Sequence, residues 1–163
     1  MQKKEKKELE SNTPTFEFND GGREESGYKG FTGDCVTRAI AIASGIPYQK
    51  VYDDLFEATK TFAESKARCK IARRLRKHGC SPRNGVFRKI YEPYLRDNGF
   101  EWVSVMGIGK GCTLHVRGDE LPEGRLILRL SRHLTAFIDG VLMDTYDCSR
   151  EGTRCVYGYF IKR

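Results

Sequence analysis

The first half of the chain repeats apolar residues at helical spacing. Between Cys35 and Ser44, the apolar positions recur at i, i+3, i+4 and i+7, which places them on one face of a helix. Gly45 follows, where a helix-ending glycine is expected. The same reasoning predicts a second helix that begins at Pro47, and two further helices over residues 67–78 and 84–98. Pro93 lies inside the last one and predicts a kink or a break there.

After residue 99 the pattern changes to short runs rich in β-branched and aromatic residues. Glycine, proline, aspartate and serine separate these runs, as is typical of strands joined by turns. The predicted strands are FEWVSVM (100–106), RLILRL (125–130), HLTAFID (133–139), VLMDT (141–145) and CVYGYFI (155–161). Helices therefore precede strands without alternating with them. The predicted fold class is α+β, with N-terminal helices packed on a C-terminal antiparallel sheet.

One hairpin is predicted in enough detail to place side chains on faces. Asp139-Gly140 lies between two strand runs and suits a two-residue type I′ turn, which needs positive φ at both positions. The resulting register makes His133 and Asp144 diagonal neighbours, with Cβ atoms about 7–8 Å apart. Asp147, three residues further on, falls on the opposite face, because side chains alternate between the two faces of a strand. Asp144 is therefore the carboxylate that can orient the imidazole. One face carries His133, Thr135, Phe137, Leu142, Asp144 and Tyr146, and the other carries Leu134, Ala136, Ile138, Val141 and Met143.

Length and composition favour a soluble globular protein. The chain has 163 residues, 39% hydrophobic and 31% charged, and no apolar run approaches the roughly 18 residues of a membrane span. Residues 1–26 lack periodicity and predict a flexible charged tail, followed by a single domain over 27–163. The N-terminus mixes lysine and glutamate without an apolar segment, which is unlike a signal or transit peptide. We therefore expect a cytoplasmic protein, in its own cell or in a host cell.

The six cysteines are scattered without a repeated spacing, so we expect free thiols rather than a disulfide framework. There is no C-x-x-C pair, and none of the three histidines lies at finger spacing from a cysteine pair. The sequence predicts no metal site and no cofactor.

The chain has a net charge of +7, and its positive residues are concentrated in one segment. Residues 66–91, KARCKIARRLRKHGCSPRNGVFRKIY, contain ten Lys or Arg and no Asp or Glu. Such a segment is either a solvated helix face or a surface, over residues 66–89, that binds nucleic acid or an acidic protein. No RNP or helix-turn-helix pattern accompanies it.

Cys35 opens the first predicted helix. Unpaired N–H groups and the helix dipole stabilise a thiolate at such a position, and a nearby imidazolium lowers the thiol pKa further. The backbone N–H of Cys35, with a donor from the preceding loop, could form an oxyanion hole, and Gly33-Asp34 allows close backbone approach. The alternative is that Cys35 is a small core residue.

A Gly-Asp-Cys sequence opening a buried helix, followed by His at the start of a strand and Asp on the next, resembles the papain-like cysteine peptidase superfamily. The chain order Cys35, His133, Asp144 is that of the superfamily. The separation of about a hundred residues between cysteine and histidine is more similar to small bacterial and phage members, such as the NlpC-like group. The resemblance implies a papain-like fold and acyl transfer through a thioester, with Cys35 as nucleophile, His133 as general base and acid, and Asp144 as orienter.

The resemblance implies a protein or peptide substrate, cleaved or modified at a peptide, isopeptide or side-chain amide bond. Peptidase, amidase, deamidase and transglutaminase activities share this triad. The alternative is a non-catalytic module of the same fold that binds nucleic acid or an acidic protein through residues 66–89. Oligomeric state is not readable from the sequence.

The chain departs from the papain pattern around the cysteine. The usual glutamine shortly before it is missing, so Asn19, Thr32 and Asp34 are the candidate oxyanion or supporting residues. Val36 replaces the tryptophan that often follows the cysteine. The rival nucleophile is Cys80 and the rival base is His115. Arg38, one turn into the helix, either pairs with Asp34 or binds a substrate carboxylate; we predict the structural role.

Overall fold

A six-stranded mixed sheet and four α-helices make up the described part of the chain, which comprises residues 13–30 and 32–163 of the computed structural model. The α+β class is confirmed. Among the described residues, no helix combines the length and the apolar content needed to cross a membrane. The helices are α1 (Cys35–Ser44), α2 (Tyr48–Glu64), α3 (Lys70–His78) and α4 (Arg88–Asp97). The strands are β1 (Thr15–Phe18), β2 (Phe100–Ser104), β3 (Arg125–Leu130), β4 (His133–Ile138), β5 (Val141–Asp144) and β6 (Gly158–Lys162).

The strand order is β1-β5-β4-β3-β6-β2, and it corrects two predictions. The sheet is not wholly antiparallel, because β1 pairs in parallel with β5, from Thr15 opposite Val141 to Phe18 opposite Asp144. Residues 1–26 are not all tail, because β1 lies within them. All four β1 residues are exposed, so backbone hydrogen bonds rather than an apolar face hold this strand. Residues 1–12 of the predicted tail lie outside the described residues.

The predicted hairpin register is confirmed over the three residue pairs nearest the turn. Ile138 lies opposite Val141 and Ala136 opposite Met143 in the β4–β5 pair. Asp139 and Gly140 have φ values of 47° and 84°, the positive pair that the two-residue turn requires. The turn alone therefore fixes which side chains of β4 and β5 share a face.

Both faces of the central strands are buried. One face packs against α1, α2 and α4, with Leu134 and Ala136 of β4 in that core. The other face is covered by the connecting segments around Val116, Cys148 and Val156, which pack on Phe137. Helix α1 contacts β4 and is buried from Val36 to Ala43, as the predicted packing of the first helix on the sheet requires. The polar side chains of His133, where β4 begins, and Asp144, where β5 ends, are consequently buried.

Two local predictions about helices need adjustment. The predicted helix over 84–98 begins only at Arg88, because Pro82–Asn84 forms a separate 3₁₀ turn. The predicted break at Pro93 does not occur, since α4 continues through it to Asp97.

Cys112 and Cys155 form a disulfide, which corrects the prediction that every thiol is free. The pairing of backbone segments around His115 and Cys155 brings the two Cα atoms to 5.9 Å, within the range that a disulfide spans. No spacing rule could anticipate it, because the two cysteines are 43 residues apart. Cys35, Cys69, Cys80 and Cys148 are free.

Replacing Gly158 with alanine should lower the free energy of unfolding by about 1–3 kcal/mol, measured by urea denaturation. A Cβ atom at Gly158 would overlap the Trp102 ring and lie 2.7 Å from the Val103 carbonyl oxygen. The matched control is Gly118→Ala, whose Cβ atom would meet nothing closer than 3.9 Å. Equal stabilities of the two variants would contradict this close approach of β2 and β6.

Candidate active site

The Cys35 side chain lines a cavity at the N-terminus of α1. Cys35 is the first residue of that helix and is half-buried. The cavity has a volume of about 460 Å³, and its walls combine apolar and cationic groups. It is lined by Phe18, Arg23, Thr32, Gly33, Cys35, Arg38, Arg132, His133, Thr145 and Tyr146. The tertiary structure thus places the thiol and the His133 imidazole, nearly a hundred residues apart in sequence, in one accessible space.

His133 and Asp144 are hydrogen-bonded, as the hairpin register predicts. The Nε2 atom of His133 lies 2.7 Å from Oδ2 of Asp144, and both residues are buried. Burial opposes ionisation of Asp144, but the His133 hydrogen bond and charge, with the Thr145 N–H, hold the pKa of the carboxyl below its ordinary value. Asp144 is therefore an ionised group that orients the imidazole. Because Nε2 is engaged, Nδ1 is the ring nitrogen left for the thiol.

The thiol of Cys35 and the imidazole of His133 form a coupled pair. Burial raises the pKa of Cys35, but the hydrogen bond with His133, the Leu134 backbone and the charges of His133 and Arg38 bring it below its ordinary value. Burial lowers the pKa of His133, whereas its bonds with Asp144, Cys148 and Cys35 raise it to about 12. Both shifts favour a thiolate beside an imidazolium, the protonation state of an activated cysteine nucleophile.

A buried charge network ties α1 to the sheet. Arg38 forms an ion pair with Asp34, four residues earlier, and its Nη2 atom lies 3.3 Å from Oδ1 of Asp144. Asp34 also accepts a hydrogen bond from the Tyr48 hydroxyl at 2.7 Å and lies 3.4 Å from Nη1 of Arg23. The predicted Arg38–Asp34 pairing is present. The sequence does not predict that Arg38 also contacts Asp144, because Arg38 and Asp144 are 106 positions apart.

The three candidate oxyanion or supporting residues have different environments. Thr32 lines the cavity, and its buried hydroxyl has no hydrogen-bond partner in the described part of the chain. Asp34 is fully buried and holds Arg38, so it acts as an acceptor and not as an oxyanion donor. Asn19 does not line the cavity: its Oδ1 accepts from the Gly21 N–H and its Nδ2 faces Met143 Sδ at 4.0 Å. Thr32 is thus the one of the three whose side chain lines the cavity and carries a donor without a partner among the described residues.

Cys148 is a member of the site that the sequence did not indicate. It is buried, and its Sγ atom lies 3.8 Å from Oδ2 of Asp144. One ligand atom each of His133, Asp144 and Cys148 lies within 4.8 Å of the others, an arrangement that could hold a metal ion such as Zn²⁺. An ion that took Nε2 of His133 and Oδ2 of Asp144 would replace the hydrogen bond between these two atoms.

The rival residues lie elsewhere. Cys80 packs against the cluster of Ala63, Leu75 and Ile90, away from the Cys35 cavity. His115 has an acidic partner, Glu120, whose Oε2 lies 3.0 Å from Nδ1 of the imidazole.

The basic segment presents exposed cations beside a second cavity. Arg73, Arg74, Arg76 and Lys77 are exposed on α3. In the described part of the chain, Arg88 is the one cation among the ten that pairs with a carboxylate, that of Glu92. The neighbouring cavity has a volume of about 490 Å³ and is lined by Arg74, Leu75, His78, Gly79, Ser81, Asn84, Gly85, Val86 and Phe87. The segment is thus an accessible positive surface.

Comparisons with known protein families, with curated proteins and with solved structures return no match for this chain. Any functional assignment therefore depends on the site geometry.

Proposed function

We propose that this chain is a papain-like cysteine hydrolase or acyltransferase that acts on an amide bond of a protein or peptide. The observation that carries the proposal is the position of the His133 imidazole, which lines the same cavity as the Cys35 thiol, lowers the pKa of that thiol and is hydrogen-bonded to Asp144. The packing of the cysteine-bearing helix α1 on the strands that carry His133 and Asp144 supports the papain-like fold. In the proposal, Cys35 is the nucleophile, His133 the general base and acid, and Asp144 the orienting carboxylate.

The reaction begins with attack of the Cys35 thiolate on the amide carbonyl carbon. The Cys35 backbone N–H and the Thr32 hydroxyl are the nearby donors for the resulting oxyanion. His133 transfers its proton to the departing nitrogen, and a thioester with Cys35 remains. His133 then takes a proton from water, which attacks the thioester and releases the acid.

The same thioester accounts for the related activities. A peptide or isopeptide bond gives hydrolysis, a glutamine side chain gives deamidation, and attack by an amine instead of water gives transglutamination. The triad geometry is common to all three, so the substrate and the second nucleophile decide between them.

Thioester formation can be tested with p-nitrophenyl acetate as an acyl donor. We expect a rapid burst of one p-nitrophenolate per chain, followed by slower turnover, because acylation of an activated thiolate precedes deacylation. Stopped-flow absorbance measures the burst. Cys35→Ala should abolish it, and the matched control Cys80→Ala should retain it. A burst that persists in Cys35→Ala, or no burst at all, would refute the proposal.

The second candidate function is binding of nucleic acid or an acidic protein by a non-catalytic module of the same fold. The exposed, unpaired cations of α3 favour it. Binding of labelled RNA that weakens steeply with salt, together with the absence of a burst, would support this alternative.

A further inference from the structure

A second grouping of cysteine, histidine and carboxylate lies around the disulfide. Cys112 is exposed in the segment between β2 and β3, and Cys155 precedes β6. The Nε2 atom of His115 lies 3.6 Å from Sγ of Cys112, and its Nδ1 atom lies 3.0 Å from Oε2 of Glu120. None of these four residues lines the Cys35 cavity. We propose that they form a thiol–disulfide exchange site, which reacts with low-molecular-weight thiols.

The carboxylate fixes the tautomer of the imidazole. Glu120 is held in place by the His115 backbone N–H, 2.6 Å from Oε2, and by Nη1 of Arg117, 3.2 Å from Oε1. Burial raises the pKa of Glu120, but these contacts and the His115 side chain bring it below its ordinary value. An ionised acceptor at Nδ1 keeps the ring proton on that nitrogen. The lone pair of Nε2 is therefore directed at the sulfur of Cys112.

This geometry suits His115 as the base for an incoming thiol. His115 Nε2 takes the proton of the thiol RSH, and the thiolate attacks the exposed Sγ of Cys112. The Cys112–Cys155 bond breaks, a mixed disulfide Cys112–S–S–R forms, and the proton passes to the Cys155 thiolate. A second RSH attacks the mixed disulfide, releasing RSSR and the Cys112 thiol. The protein disulfide is reduced by two electrons, and two thiols are oxidised to one disulfide.

The surrounding backbone keeps the two cysteines together after reduction. The Val116 N–H donates to the Arg154 carbonyl at 3.0 Å, and the Val156 N–H donates to the Leu114 carbonyl at 2.8 Å. These hydrogen bonds flank Cys155 and do not depend on the sulfur bond. The two thiols consequently stay opposite each other after reduction, at the high effective concentration that favours reoxidation.

The experiment follows reduction of the Cys112–Cys155 disulfide in the full chain by reduced glutathione at pH 7. Samples are quenched with acid and then alkylated with N-ethylmaleimide, and peptide mass spectrometry gives the thiol content at each cysteine. His115→Gln should slow the reduction about tenfold, because it removes the base beside the sulfur. The matched control His78→Gln, at an exposed histidine on α3, should leave the rate unchanged.

The direction of the change separates this role from a structural one. A histidine that merely holds the loop would, when replaced, expose the disulfide and accelerate its reduction. A rate in His115→Gln equal to or above that of the unmodified chain would overturn the proposal. So would mapping of the glutathionyl adduct to Cys155 instead of Cys112.

Discussion

Replacing His133 with alanine should lower the rate at which iodoacetamide alkylates Cys35 at pH 6 by roughly one to two orders of magnitude. A free thiol, with a pKa of about 8.5, is less than about 1% thiolate at that pH. In the unmodified chain the imidazole and its charge bring the pKa of Cys35 below its ordinary value, against the effect of burial. Without His133, burial is opposed only by the Leu134 backbone and the Arg38 charge, so the pKa of the thiol should rise. The loss is smaller than the ratio of thiolate fractions, because a thiolate of low pKa is also a weaker nucleophile.

The change of the alkylation rate with pH tests the direction of the pKa shift of Cys35. A thiol whose pKa is lowered loses its charge at a lower pH than a free thiol, so between pH 8 and pH 6 the alkylation rate of the unmodified chain should fall less steeply than that of His133→Ala. In His133→Ala the rate should fall about tenfold per pH unit, as expected for a thiol titrating above this range. Mass spectrometry of the Cys35 peptide gives the rates.

A control variant changes a neighbour of His133 that should not affect the pKa of Cys35. Tyr146 lines the cavity, with its ring centroid 5.5 Å from that of His133. Tyr146→Phe keeps this contact and removes only the hydroxyl, so it should leave the profile of Cys35 unchanged. If His133→Ala were alkylated at pH 6 as fast as the unmodified chain, the thiolate–imidazolium pair would be excluded.

The second large effect concerns stability. Asp34→Ala should lower the free energy of unfolding by about 3–5 kcal/mol, because it leaves the buried Arg38 without its nearer carboxylate. The Tyr48 hydroxyl and one Arg23 contact lose their acceptor as well. Urea denaturation followed by circular dichroism measures the change.

An exposed ion pair supplies the comparison. Glu101 lies 3.4 Å from Arg163, and both side chains are more than half exposed. Glu101→Ala should change the free energy of unfolding by less than about 1 kcal/mol, because water solvates the remaining charge. A loss in Asp34→Ala no larger than in Glu101→Ala would show that the network does not hold α1 to the sheet.

Sequence patterns were sufficient for α1 and for the β4–β5 hairpin, where local backbone geometry decides the structure. The bounds of α1 follow from the apolar stripe that ends before Gly45, and the structure has the helix over Cys35–Ser44. The Asp139-Gly140 turn sets the β4–β5 register, and the two-residue period of a strand then places His133 and Asp144 on one face. Their hydrogen bond follows from contacts within a twelve-residue hairpin.

The remaining features depend on segments that meet only in the folded chain. Strand β1 is four residues long and has no buried face, and its partner β5 lies more than a hundred residues later. The bridge from Arg38 to Asp144 and the Cys112–Cys155 disulfide likewise join distant positions. Cys148 is beside His133 because the chain after β5 turns back over the sheet.

The sequence by itself thus determined which residues could act on one another within a helix or a hairpin. Turn sterics and side-chain periodicity are properties of neighbouring residues, and they placed the acid and the base of the site. The tertiary structure alone decided that the Cys35 thiol and the His133 imidazole line one cavity, because the packing of α1 on β4 is fixed by burial of apolar surface from the whole chain.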